Sequence, residues 1–247
     1  IQGASNAALQ RYDAAIDSYK QAIKIKPDYA EAYSNMGVAL KDKGEVDAAI
    51  DSYKQAIKIK PDNADAYYNM GNALKDKGEF DAAIDSYKQA IKIKPDNADA
   101  YYNMGNALKD KGEFDAAIDS YKQAIKIKPD YAEAYSNMGV ALKDKGEVDA
   151  AIDSYKQAIK IKPDYAEAYS NMGVALKDKG EFDAAIDSCK QAIKIKPDYA
   201  EAYYNMGVAL KDKGEFDAAI DSYKRAIRIK PDYADAYNNM GVTLKDK

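Results

Sequence analysis

Seven asparagines are the residues of this chain best suited to chemistry: Asn35, Asn69, Asn103, Asn137, Asn171, Asn205 and Asn239, each 34 residues after the last. A primary amide offers both donors and an acceptor, so each side chain can pair with the C=O and the N–H of an extended backbone. What such a row could do is hold peptide backbone reversibly, with no covalent change, and the alternative is a solvated polar face. Beside it stand Tyr68, Tyr102 and Tyr204, and four residues beyond two of these stand Asn72 and Asn106. Groups for making and breaking bonds are scarce. The sequence has no His, and its one cysteine, Cys189, can build neither an internal disulfide nor a thiolate zinc site. No catalytic residue, metal site or cofactor is therefore expected, and no enzymatic activity of this segment itself.

The spacing of the asparagines is the spacing of everything else. Pro27, Pro61, Pro95, Pro129, Pro163, Pro197 and Pro231 share the 34-residue step, as do the glycine pairs from Gly37 and Gly44 to Gly207 and Gly214. A strict period of this length means a stacked array rather than one globular core. Full units are expected at 30–63, 64–97, 98–131, 132–165, 166–199 and 200–233. Residues 1–29 supply a partial unit, with Gly3, Ala15, Tyr19, Ala22 and Pro27 in register, and 234–247 a terminal first helix. Both ends cut through a unit, which reads as a fragment of a longer protein, with a designed array as the alternative. The single departures Cys189, Arg225, Arg228 and Thr243 look like natural drift.

One unit shows how the elements form. Asp28 and Glu31 have the spacing of a reciprocal N-terminal cap, and Tyr33, Met36 and Leu40 follow at helical spacing. Gly44 lies where a left-handed residue would end the first helix. A second helix carries Ala49, Ile50, Tyr53, Ala56 and Ile57 on its buried side, and Pro61 stops it. Gly37, Ala49 and Ala56 leave room for the helices to approach, with Tyr33, Leu40 and Tyr53 packed around them. The predicted fold is all-α, an array of antiparallel helical hairpins whose apolar sides only neighbouring hairpins can cover.

Charge narrows the partner class. The chain has 37 Lys and Arg against 41 Asp and Glu, a net charge of −4, which argues against nucleic acid. No apolar run is long enough to span a membrane, no apolar signal segment opens the chain, and a cytoplasmic location is expected.

These motifs resemble the tetratricopeptide repeat family. With Ala30 as first position, the family's large residue falls on Tyr33, its Leu-Gly pair on Met36-Gly37, and its next bulky residue on Leu40. Small Ala49, aromatic Tyr53, small Ala56 and Pro61 complete the pattern, which recurs over almost the whole chain. Departures are mild: Tyr33 replaces the usual Trp, Met36 the usual Leu, and Cys189 stands once for the aromatic. The resemblance implies a solenoid of stacked units, a right-handed superhelix with an inner groove. The pentatricopeptide family, which reads RNA, is disfavoured by the constant 34-residue step and the acidic balance. The strings AYSNMG and ADAYYNMGNALK are most similar to repeats of the O-linked N-acetylglucosamine transferases. There an asparagine ladder on the inner face holds substrate backbone, which would place the seven asparagines in the groove. No glycosyltransferase domain is present in this chain.

Helices packed about 8–10 Å apart and an extended chain rising roughly 3.3 Å per residue would bring an asparagine to about every third residue of a bound peptide. The alternative is a solvated polar face with no ligand. Variation between units falls beside the ladder: Ser34, Ser136 and Ser170 exchange with Tyr68, Tyr102 and Tyr204, and Val38, Val140, Val174, Val208 and Val242 with Asn72 and Asn106. Glu31, Asp65, Asp99, Glu133, Glu167, Glu201 and Asp235 form an acidic rail, which the Lys and Asp of each KDKG turn are placed to offset. Chaperone-binding members put basic residues near the groove to hold a carboxylate, and that activity does not transfer. The expected partner is an extended protein or peptide segment, neutral to basic, bound along the groove. Self-association by end-to-end stacking of open terminal repeats is the alternative.

Overall fold

A computed structural model of the chain describes residues 2–247, and the side chains of residues 9–247. It divides into two compact units, Ile1–Ile127 and Lys128–Lys247. The first contains α1 (Gln2–Ile25), α2 (Ala30–Lys43), α3 (Val46–Ile59), α4 (Ala64–Asp76), α5 (Phe80–Ile93), α6 (Ala98–Asp110) and α7 (Phe114–Ile127). The second contains α8 (Ala132–Asp144), α9 (Val148–Ile161), α10 (Ala166–Asp178), α11 (Phe182–Ile195), α12 (Ala200–Lys213), α13 (Phe216–Ile229) and α14 (Ala234–Asp246). There is no strand among the described residues.

Each hairpin is set by its two breakers. Gly44 adopts φ 92°, its N–H donates to the Lys41 carbonyl at 2.9 Å, and the Glu45 N–H reaches back to the Leu40 carbonyl at 2.8 Å. This pair of bonds satisfies carbonyls that the end of a helix would otherwise orphan. At the other end of the hairpin, Lys60 precedes Pro61 and is pushed to an extended φ of −129°, which ends α3. Residues 2–25 differ: they form one helix, because Gln10 stands where the other units have the turn glycine. Gly3, expected in register with the later glycines, lies outside the residues whose side-chain surroundings are described.

The N-terminal caps depart from expectation. The α2 N-cap is Tyr29, with no side-chain cap bond, so Asp28 and Glu31 do not cap each other. The helix starts one residue later than that pairing requires. Only where asparagine holds the position does a side chain cap: Asn63 accepts from the Ala66 N–H at 3.1 Å, and Asn97 from the Ala100 N–H at 3.0 Å.

The core is a tyrosine laid on a glycine. Tyr53, Tyr87, Tyr121, Tyr155 and Tyr223 are among the largest fully buried side chains. A Cβ added to Gly71 would lie 2.6 Å from Cε1 of Tyr87, so only glycine permits this approach. Alanines 49, 56, 83 and 90 are wholly buried at the same crossings. Neighbouring hairpins stack through α3 on α4 and α5 on α6, and through α9 on α10, α11 on α12 and α13 on α14. First helices also meet directly, α2 with α4 and α4 with α6, and α8 with α10, α10 with α12 and α12 with α14.

Lysines staple the stacks outside this core. Lys43 reaches Asp13 at 2.7 Å and Glu45 at 2.6 Å, and Lys179 reaches Asp149 at 2.9 Å and Glu181 at 2.8 Å. Hydrogen bonds to Asp13 and Glu45 hold the Lys43 ammonium above its ordinary pKa. The second lysine of these KDKG turns is thus committed to the preceding hairpin, away from the acidic rail. The first can remain beside the asparagines, as Lys177 does near Tyr204 and Asn205.

Candidate functional site

The seven ladder asparagines all lie on first helices, Asn35 exposed and the other six half-buried. The amides of Asn103, Asn205 and Asn239 are tied to the preceding hairpin. In the first unit Asn103 Nδ2 donates to Tyr68 Oη at 2.8 Å and to Asn72 Oδ1 at 3.2 Å. In the second, Asn205 Nδ2 donates to Ser170 Oγ at 3.0 Å and Asn239 Nδ2 to Tyr204 Oη at 2.7 Å. Each bond spans 35 residues and joins two stacked first helices. Donating N–H in these bonds leaves the amide carbonyl of Asn103, Asn205 and Asn239 as an acceptor. Both residue types at the Ser/Tyr position can accept the bond, serine at Ser170 and tyrosine at Tyr68 and Tyr204.

Asn72 and Asn106 have a structural partner. Tyr87 Oη donates to Asn72 Oδ1 and Tyr121 Oη to Asn106 Oδ1, each at 2.8 Å. Where Val140 replaces the asparagine, the buried Tyr155 hydroxyl has no partner. Burial holds the Tyr87 and Tyr155 phenols well above their ordinary pKa. The Val/Asn exchange therefore decides whether a core hydroxyl is satisfied. Sequence reading missed this, although the 15-residue offset between Asn72 and Tyr87 recurs between Asn106 and Tyr121.

Tyr68, Tyr102 and Tyr204 pack their rings 6.1 Å from Tyr87, Tyr121 and Tyr223 respectively. Tyr204 also lies 5.0 Å from Tyr233. The acidic rail is partly neutralised from within. Lys162 lies 4.6 Å over the Tyr165 ring and 3.3 Å from Glu133. Lys196 lies 4.8 Å over Tyr199 and 3.7 Å from Glu167. In both junctions one lysine meets the N-cap ring and the acid of the hairpin before it, whereas Lys230 lies 4.8 Å over Tyr233 without an ion pair among the described residues.

Ladder, rail and tyrosine meet in a pocket of about 420 Å³ in the first unit. Glu31, Ser34 and Asn35 of α2 face Asp65, Tyr68 and Asn69 of α4, with Asn63 between them. A smaller pocket of about 190 Å³ in the second unit is formed by Val174, Lys177, Tyr204, Asn205 and Val208. A cleft of about 450 Å³ on the side of α11 and α13 is lined by charges that already pair, Lys213 with Asp183 at 2.6 Å and Lys190 with Asp187 at 3.2 Å.

The TPR repeat family model matches residues 5–44, 37–78, 71–112, 105–146, 141–180, 175–214 and 209–247. The chain is a tetratricopeptide-repeat (TPR) protein. Solved structures agree. MamA is 34% identical with a TM-score of 0.61, the match covering 67% of this chain and 97% of that one. YrrB, described as a TPR protein with an unusual peptide-binding site, is 25% identical with a TM-score of 0.61 over 76% of this chain and 97% of its own. The Cut9–Hcn1 hetero-tetramer of APC/C shares the fold at 17% identity and a TM-score of 0.73, over 94% of this chain and 46% of that one. No curated protein sequence matches the chain significantly. Among the described residues no group of His, Cys, Asp and Glu could hold a metal, and no helix is long and apolar enough to cross a membrane.

Proposed function

We propose that this TPR array binds an extended, neutral-to-basic segment of a partner protein along the face formed by its first helices. The observation that carries this reading is the row of inter-hairpin bonds from Asn103, Asn205 and Asn239. Each fixes an amide before any ligand arrives and keeps its carbonyl available to a peptide N–H. Tyr68, Tyr102 and Tyr204 supply half-buried aromatic contact surface beside it. YrrB supports the reading as a structural relative with a peptide-binding site. Any catalysis in which the array takes part, as the substrate-presenting arm of a glycosyltransferase for example, resides in another domain. The test is to replace Asn69, Asn103, Asn137 and Asn171 together by Ala and compare capture from a random peptide library. Capture should fall while far-UV helicity is kept, and undiminished capture would overturn the ladder.

A second reading, end-to-end association of chains, draws on α14. Gly241 has nothing within 4 Å of its added Cβ position, and Leu244 is 55% exposed. Tyr19 in α1 occupies the register of the tyrosines that cover glycine elsewhere, so α1 of a second copy has the pattern to lie on α14. Leu244→Asp should abolish concentration-dependent growth in sedimentation velocity. Absence of such growth in the parent chain would count against the reading.

A further inference from the structure

The pocket between α2 and α4 exists because of a pairing no other hairpin junction within the two units repeats. Each junction brings the Ser/Tyr residue of one first helix toward the N-cap residue of the next. At Tyr204 and Tyr233 two rings fill the space, 5.0 Å apart. At Ser170 the Tyr199 phenol reaches in and hydrogen-bonds the serine. At Tyr68 the phenol takes the Asn103 amide, while Asn97 caps α6. Only at Ser34 and Asn63 are both residues small, and there the pocket of about 420 Å³ opens.

Three of its polar groups have no protein partner among the described residues. Ser34 is only 9% exposed, lines the pocket, and its hydroxyl has no partner among the described residues. Glu31 and Asp65 make no ion pair among the described residues, unlike Glu133 and Glu167. Lys60 and Lys94 correspond to Lys162 and Lys196, but Asn63 and Asn97 follow them where Tyr165 and Tyr199 follow the others. Two carboxylates thus face one cavity beside the Ser34 hydroxyl, two ladder asparagines and the Tyr68 phenol.

We propose that this pocket receives one cationic side chain, lysine or arginine, as the anchor that sets the register of a bound peptide. The inference rests on the peptide-binding reading above and adds a single specificity position to it. Two carboxylates match the charge, Ser34 and the Asn35 and Asn69 carbonyls accept the remaining donors, and the Tyr68 ring flanks the stem. The other junctions have a tyrosine in this space and lack the vacancy.

The test uses Nα-acetyl-arginine amide and Nα-acetyl-lysine amide as probes, with Nα-acetyl-citrulline amide as the neutral isostere, titrated into the ¹⁵N-labelled chain. The cationic probes should shift the amides of residues 34, 65 and 69 saturably, and citrulline should not. Glu31→Gln with Asp65→Asn should weaken the shift on the order of tenfold. Asn63→Tyr should abolish it, and this variant recreates the Ser/Tyr junction already present at Ser170 and Tyr199, so folding is preserved. Equal shifts from citrulline, or binding unchanged in Asn63→Tyr, would overturn the proposal. Loss of library capture in a variant with Asn103, Asn137 and Asn171 replaced by Ala, which leaves every pocket residue in place, with the arginine shifts intact would instead separate the ladder from this anchor.

Discussion

Replacing Tyr87 and Tyr155 by Phe should have opposite consequences, although the two tyrosines occupy the same place in their hairpins. Both are fully buried. Tyr87 Oη donates to Asn72 Oδ1 at 2.8 Å, whereas Tyr155 Oη is buried without a partner. Tyr87→Phe loses a hydrogen bond with a net contribution of about 0.5–1.5 kcal/mol. The Asn72 carbonyl keeps its second donor, Asn103 Nδ2 at 3.2 Å, so no buried acceptor is orphaned and the loss should stay in that range. Tyr155→Phe removes a hydroxyl whose burial without a partner costs about 1–3 kcal/mol, and should be neutral to stabilising. The expected gap between the two variants is therefore at least about 0.5 kcal/mol and grows with whatever Tyr155→Phe gains. In a chain of this size that corresponds to roughly 2–4 °C in Tm for each kcal/mol, so guanidinium unfolding at constant m-value is the better assay. Val140→Asn closes the cycle: it should stabilise the parent and erase the gain from Tyr155→Phe, a coupling that a double-mutant cycle reads directly. Equal destabilisation by the two Phe variants, or no coupling between positions 140 and 155, would refute the reasoning.

Three further outcomes follow from the same packing. Gly71→Ala should destabilise, since its Cβ would sit 2.6 Å from the buried Tyr87 ring, while Gly241→Ala, with open space at its Cβ, should stabilise by up to about 1 kcal/mol through helix propensity; similar unfolding midpoints for both would contradict the close approach. Burial pushes the Cys189 thiol up to about 12, so it should resist a thiol reagent at neutral pH until the chain unfolds, and rapid labelling of the native chain would overturn its placement. Cys189→Tyr and Cys189→Phe should both stabilise by enlarging the buried aromatic surface, with Phe the better because Val174 offers a tyrosine hydroxyl no partner; a Phe variant less stable than the parent would show that the site has no room.

The sequence by itself determined the hairpin. Its causes lie within one unit and recur in most of them: glycine at a left-handed helix end, proline after the second helix, a tyrosine 16 residues beyond a glycine that leaves room for it. Even there a local choice escaped, because Asp28 and Tyr29 compete for the N-cap and the backbone places the helix start after Tyr29. What only the tertiary structure decided is how one hairpin answers the next. Whether Asn72 faces a ligand or holds a core hydroxyl depends on Tyr87 in the neighbouring helix. The charge left on the rail depends on contacts made across hairpins, such as Lys162 on Glu133. The vacancy at Ser34 depends on Asn63, 29 residues away and on a different helix. Repetition makes these pairs look alike in one dimension. They differ because side chains from stacked helices share one volume, and what fills that volume is set jointly by two residues that the repeat varies separately.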